Sequence, residues 1–264
     1  MDFIHYEHHN EQIAVITLNR PERLNALGSQ MRLEFEEALQ AAARDPEVRV
    51  AIVTGAGRSF CAGADIKEWA AGTPPIRLPP EATQFLNEYG TADVIKPLVA
   101  AINGHCLGAG LNLVATRCDI RIAGQTAQFG MPEVARGTID LTTPFALEGL
   151  PRAFLSELLY TGDPVTAERA YEVGLINAVV PDEDVMEAAV SVAERIARHS
   201  PAAVRATKLN LLKTFEATEA ARVWEQRLRE QVSSSGDTSE GMQAFVDKRS
   251  PLWDQGEPQS DESR

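Results

Sequence analysis

Short β-branched runs alternate with helical patterns through the first half of the chain, and that alternation narrows the fold more than any other feature. Gln12 to Leu18 and Val48 to Thr54 end in turn chemistry, Asn19-Arg20-Pro21 and Gly55-Ala56-Gly57. Between them Met31, Phe35 and Leu39 recur every fourth residue. That spacing predicts an amphipathic helix with Glu34, Glu36 and Glu37 turned away from the core. Pro97 to Asn103 and Asp119 to Ala123 are further strand candidates, with a helix-like Gly110 to Arg117 between them. Strands separated by helices argue an α/β protein with parallel pairing.

After about residue 150 the strand signals thin out. Helical patterns run from Asp184 to His199, Ala202 to Phe215 and Ala217 to Val232. Asp237-Thr238-Ser239-Glu240 resembles a capping box that opens a last helix toward Lys248. Glu68 to Ala82 holds Gly72, Pro74, Pro75, Pro79 and Pro80 and is expected to be a long irregular loop. Asp254 to Arg264 is polar and acidic, and is expected to be disordered.

Composition removes several function classes. The chain has 25 Lys plus Arg against 38 Asp plus Glu, a formal charge of −13. Such a surface repels nucleic acid and anionic membranes, so neither is expected as a partner. No apolar run approaches the ~20 residues of a membrane helix. The N-terminal stretch Met1 to Asn10 is polar, which makes a cytoplasmic protein the expectation. Cys61, Cys106 and Cys118 are odd in number and show no CxxC or Cys/His spacing, so no disulfide framework and no metal site is expected. GxGxxG, GxSxG, a P-loop and HExxH are all absent, and no nicotinamide or flavin cofactor is expected.

Two glycine-centred turns carry the chemistry. Ser59 to Glu68 (SFCAGADIKE) follows one strand, and Asn103 to Asn112 (NGHCLGAGLN) follows another and leads into a helix. Small residues there let backbone N–H groups approach a ligand atom closely. Two such donors, one at a helix N-terminus, can hold a developing oxyanion. A third element, Ala127-Gln128-Phe129-Gly130-Met131-Pro132-Glu133, ends in a carboxylate. Asp140 follows seven residues on in an apolar, threonine-rich run. His105 lies within the second turn and reads as a packed core histidine.

In this order and spacing these elements resemble the enoyl-CoA hydratase/isomerase (crotonase) family. The resemblance runs from about Ile13 to Trp253. It includes NRPERLNAL from Asn19, FCAGADIKE, NGHCLGAG, AQFGMPEVARGTI, Tyr160-Thr161-Gly162, Gly174-Leu175-Ile176 and Phe245-Val246-Asp247-Lys248-Arg249. It implies a spiral of ββα units over residues 1–200, a helical C-terminal trimerisation region over 201–253 and a tail over 254–264. A homotrimer, or a hexamer of two trimers, is the implied assembly.

The implied activity is that of an acyl-CoA enzyme that stabilises a thioester enolate, with no cofactor and the CoA thioester as substrate. The backbone N–H groups of Ala64 and Ala109 fall on the oxyanion-hole positions. Glu133 matches the second of two glutamates used by hydratases of the family, while the first falls on Asn112, which cannot take a proton. Asp140 is a candidate to replace that lost carboxylate, within about one residue of an aspartate carried by dienoyl-CoA isomerases. Hydration of a 2-enoyl-CoA and double-bond isomerisation both remain open, Asn112 favouring the second. C–C bond lysis, decarboxylation or hydrolysis on the same scaffold is the alternative, and a non-catalytic binding member a remoter one. The resemblance puts CoA against Arg23, Leu24, Ala26, Ala62, Ala64, Asp65 and Ile66, with Lys248 or Arg249 reaching a phosphate.

Overall fold

The computed structural model describes residues 1–71, 96–140, 147, 149–213 and 237–251. The chain opens with the antiparallel strands β1 (Ile4–Asn10) and β2 (Ile13–Leu18), followed by helix α1 (Ser29–Arg44). A strand–strand–helix step then recurs. Its first pass is β3 (Val50–Gly55), β4 (Ser59–Cys61) and α2 (Ile66–Ala70). Its second is β5 (Leu98–Ile102), β6 (His105–Leu107) and α3 (Ala109–Arg117). The third begins with β7 (Ile120–Gly124) and β8 (Gln128–Gly130), and a 3-10 turn follows at Val134–Arg136. Beyond it come α4 (Arg152–Thr161), β9 (Val165–Thr166), α5 (Ala167–Glu172) and β10 (Ala178–Val180). The last described elements are α6 (Val185–Ala197), α7 (Pro201–Lys213) and α8 (Asp237–Asp247).

Each pass gives one strand to each of two sheets. The larger sheet has the order β1-β2-β3-β5-β7-β10 and the smaller β4-β6-β8-β9. From β2 to β10 every pairing in the larger sheet is parallel. This is the ββα spiral. Among the described residues no helix is long and apolar enough to cross a membrane.

Both faces of the larger sheet are buried, which explains its nearly uninterrupted apolar strands. Ile13, Val15, Val50, Ile52, Val99 and Ala101 pack under α6 through Val185, Ala189, Ala193 and Ala197. Their neighbours Ala14, Ile16, Ala51, Val53 and Ala100 point the other way, toward α1 and the smaller sheet. A period of two along each strand produces this division.

Helix α1 departs from expectation at Glu34 and Glu36. Met31, Phe35 and Leu39 are buried, but so is Glu34, at 3% exposure. Positions 31, 34, 35 and 38 share one helical face, so the glutamate cannot turn away. It is accommodated because its Oε2 accepts the N–H groups of Phe3 at 2.7 Å and Ile4 at 3.1 Å. Glu36 is half-buried and accepts from Arg117 Nη2 at 2.6 Å, while Glu37 is exposed as expected. The irregular segment expected from Glu68 starts later, because α2 runs through Ala70. Its remainder, the helix expected over Ala217–Val232 and the tail over 254–264 lie outside the described residues.

A buried asparagine sets the path from β2 into the first glycine turn. Leu24 and Asn25 take consecutive left-handed conformations, φ 52° and 56°. Asparagine tolerates that region better than most residues. Asn25 is fully buried; its Oδ1 accepts from Arg20 N at 2.8 Å, and its Nδ2 donates to Ala56 O at 2.9 Å and Ser59 O at 2.7 Å. Ala62 N then reaches Leu24 O, and Leu27 N reaches Gly63 O. Asn25→Ala removes all three side-chain bonds and is expected to cost about 3 kcal/mol, measured by urea denaturation. A loss below about 0.5 kcal/mol contradicts this role for Asn25.

Candidate active site

The two glycine turns leave the same end of the smaller sheet because β4 and β6 pair in parallel, Ser59 opposite His105 and Cys61 opposite Cys106. Gly63 and Gly108 follow these strands with φ of 107° and 50°, where side chains are strained. They also face each other. A Cβ on Gly63 would lie 3.2 Å from Leu107 O and 3.8 Å from Ala109 N. A Cβ on Gly108 would lie 3.7 Å from Gly63 Cα and 2.8 Å from Glu133 Oε1. Glycine is therefore what lets the next two residues, Ala64 and Ala109, approach one another. Among the described residues neither of their N–H groups has an acceptor. Ala109 opens α3, so its N–H is one of the donors a helix start leaves unpaired.

A carboxylate stands against this pair. Glu133 follows β8 through Met131-Pro132 and heads the 3-10 turn. Its Oε2 is buried without a hydrogen-bond partner among the described residues. Burial first, and the charge of Asp140 second, push its pKa from 4.5 up to about 7. Asn112, on the first turn of α3, donates Nδ2 to Asp140 Oδ2 at 3.0 Å. The structure thus brings together Asn112, Glu133 and Asp140, three residues spread over 28 positions of sequence.

All three line a cavity of about 850 Å³ that also takes in Ala64 and Ala109. Arg23, Leu24, Ala26, Ala62, Asp65 and Ile66 line it as well. The Asp65 carboxylate is itself occupied, accepting from Arg20 Nη1 at 2.8 Å and Glu68 N at 3.2 Å. Lys248, expected to reach a CoA phosphate, is not among the residues that line this cavity within the single chain. Helix α8 presents Thr238, Met242 and Phe245 to it but ends at Asp247, and the chain turns at Lys248 with φ 55°, leaving that residue exposed. Arg249 pairs with Glu240 instead, 2.6 Å from Nη1 to Oε1. His105 stands in β6 outside the lining.

Several lining residues escaped the sequence reading. Thr238, Met242 and Phe245 recur at i, i+4 and i+7, a helical face visible in principle, but nothing local says which cavity it covers. Arg136, one turn beyond Glu133, lies 5.2 Å over the Phe245 ring and donates to Pro132 O at 3.0 Å. Arg32 sits among the glutamates of α1, where an arginine reads as a solvated charge. Among the described residues no group of three His, Cys, Asp or Glu could hold a metal ion. Burial pushes the Cys61 thiol up to about 11, which makes it a poor nucleophile beside the first turn.

The model of the enoyl-CoA hydratase/isomerase family matches residues 8–257. The chain belongs to that family. It is 34% identical over 244 residues to the 2,3-dehydroadipyl-CoA hydratase of Escherichia coli (strain K12), covering 91% of this chain and 94% of that protein. It is 37% identical over 246 residues to a probable mitochondrial enoyl-CoA hydratase of Dictyostelium discoideum, covering 92% and 87%. Among solved structures it resembles carnitinyl-CoA hydratase from Mycobacterium avium, with a TM-score of 0.83, 37% identity and coverage of 96% and 98%. The protein is an enzyme of the enoyl-CoA hydratase/isomerase type, and a C–C bond lyase, decarboxylase or hydrolase reading is not favoured.

Burial of Glu133 makes stability depend on pH. Below about 4.5 the group is protonated whether folded or unfolded and costs nothing. As pH rises to about 7 the folded state must keep a proton that the unfolded state releases, so stability falls, and above that the penalty is constant. Glu133→Gln should therefore gain stability over the native chain between these limits, by at most about 3 kcal/mol at pH 8. Parallel denaturation series at pH 4.5 and 8 measure this. An equal difference at both values contradicts it.

Proposed function

We propose that this enzyme adds water across the 2,3 double bond of an enoyl-CoA thioester. The supporting observation is the second carboxylate: Asp140, joined to Asn112, faces the same cavity as Glu133. One carboxylate is enough to move a proton between two carbons of the same substrate. Hydration also needs a group that takes a proton from water.

The thioester oxygen accepts from Ala64 N–H and Ala109 N–H, which stabilise the charge it gains, each donor worth ~3 kcal/mol in comparable sites. Asp140, held by Asn112, takes one proton from water as its oxygen bonds to the β-carbon. The π electrons move to the enolate, and Glu133, raised toward neutrality, gives its proton to the α-carbon. Both hydrogens of the water are then accounted for, one on the 3-hydroxyl and one returned to Glu133 from Asp140 through solvent. The CoA moiety runs along Arg23, Leu24, Ala26, Ala62, Asp65 and Ile66, its adenine against the main chain of the Ala64-Asp65-Ile66 turn.

Crotonyl-CoA turnover, followed as loss of the conjugated thioester, tests this reading. Glu133→Gln and Asp140→Asn are each expected to lower kcat by about 10²–10⁴. A native enzyme that binds acyl-CoA but leaves crotonyl-CoA untouched contradicts it, as does an Asp140→Asn variant that hydrates at the native rate.

The assembly proposed is a trimer, or a hexamer of two trimers. Tyr160, Tyr171 and Leu211 are 77%, 54% and 57% exposed, apolar surface that subunit contact would cover. Light scattering should give three or six times the 28.7 kDa chain mass. A mass of one chain contradicts the proposal.

A further inference from the structure

We propose that Arg32 receives a carboxylate carried by the acyl group, so that the preferred substrates are CoA thioesters of acids with a second, distal carboxylate. The inference rests on the acyl-CoA reading above and specifies its substrate class.

Arg32 differs from the other shielded guanidinium groups in having little to bind. Arg20 pairs with Asp65, and Arg117 pairs with Glu36. Arg121 donates to four carbonyl groups, and Arg136, although its Nε is buried without a partner among the described residues, donates to Pro132 O at 3.0 Å and stacks over Phe245. Arg32 lies in the cavity wall, yet among the described residues its only side-chain hydrogen bond is a long one, Nε to Leu27 O at 3.5 Å. None of its nitrogens lies within 4.0 Å of a described carboxylate. A guanidinium has five N–H donors and stays charged, so shielding it from water without a partner is costly. Burial does shift its pKa down from the ordinary arginine value.

The nearby acids already have occupants. Glu68 accepts from Ser29 N at 3.1 and 3.2 Å, and Asp140 accepts from Asn112. Both act on Arg32 through their charge only. These neighbours place the guanidinium on the reacting side of the cavity, since Asp140 is the base of the proposed reaction and Leu27 pairs with Ala64. Arg23, in the turn after β2, lies along the proposed CoA path, and Lys67 stands in α2.

Charge makes a neutral acyl tail an unsuitable occupant for this spot and an anionic one suitable. Glu22, Glu133 and Asp140 line the same cavity and would repel a substrate carboxylate. A planar guanidinium presents paired N–H donors that match a carboxylate's two oxygens and offset that repulsion.

Calorimetric titration of the intact enzyme with saturated acyl-CoA ligands tests the proposal without turnover. Succinyl-, glutaryl- and adipyl-CoA would be compared with butyryl-, pentanoyl- and hexanoyl-CoA, and with free CoA, on the native chain, Arg32→Met and Arg32→Lys. At one or more lengths the carboxylated ligand should bind the native enzyme about tenfold tighter than its methyl-ended partner. Arg32→Met should abolish that difference while free CoA binds as before, and Arg32→Lys should restore part of it. Tighter binding of the methyl-ended ligand at every length overturns the proposal. So does an equal loss for both ligands and free CoA in Arg32→Met, which would assign Arg32 to a CoA phosphate. An enzyme that discriminates in binding yet hydrates none of the matching enoyl thioesters keeps this inference and refutes the hydratase reading.

Discussion

The parallel pairing of β4 with β6 places two strand ends side by side, and the rest of the site is arranged around that contact. Ser59 opposes His105, so the chain leaves both strands in the same direction and enters both glycine turns at the same level. Gly63 and Gly108 then approach closely enough that a methyl group on either would meet the other turn or the Glu133 carboxylate. Two N–H groups from positions 45 residues apart can be aimed at one atom only with a backbone approach of this kind. Because the donors are preorganised, no reorganisation is needed when charge develops on the thioester oxygen. The Asn25 hydrogen bonds and the Arg20–Asp65 ion pair hold the first turn in place from behind.

The carboxylates show the same economy of position. Asn112 lines the cavity beside Glu133 and cannot take a proton, so it contributes only the capacity to hydrogen-bond. Its amide donates to Asp140, an acid that lines the same cavity. The second carboxylate of the cavity thus comes from a different segment of chain, and its proximity helps raise Glu133 toward neutrality. Two like charges in one partly buried site resist joint ionisation, and this separates a proton donor from a proton acceptor.

Much of this was visible in the residues. Short apolar runs mark β2, β3, β5 and β7 because the sheet is buried on both faces, and a period-four pattern marks α1 because it buries one. The glycine turns stand out because only small residues permit such an approach. Glu34 misleads because its partners, the N–H groups of Phe3 and Ile4, are some 30 residues away and any residue could supply them. Arg32 is hidden for the opposite reason: it stands among the glutamates of α1, which in sequence read as a solvated face, and only folding turns it toward the cavity. Lys248 follows the helical face of Thr238, Met242 and Phe245, but the end of α8 is a backbone event that no side-chain pattern announces. Asp140 lies between these cases, since its type suggests chemistry while its partner Asn112 emerges only in three dimensions.

The account turns on one oxygen atom meeting two backbone donors. A crystal structure of the enzyme with a saturated acyl-CoA measures this directly. The thioester oxygen should lie about 2.7–3.1 Å from both Ala64 N and Ala109 N, with the acyl α-carbon beside Glu133. A thioester bound with its oxygen beyond hydrogen-bonding distance of both nitrogens would contradict the account.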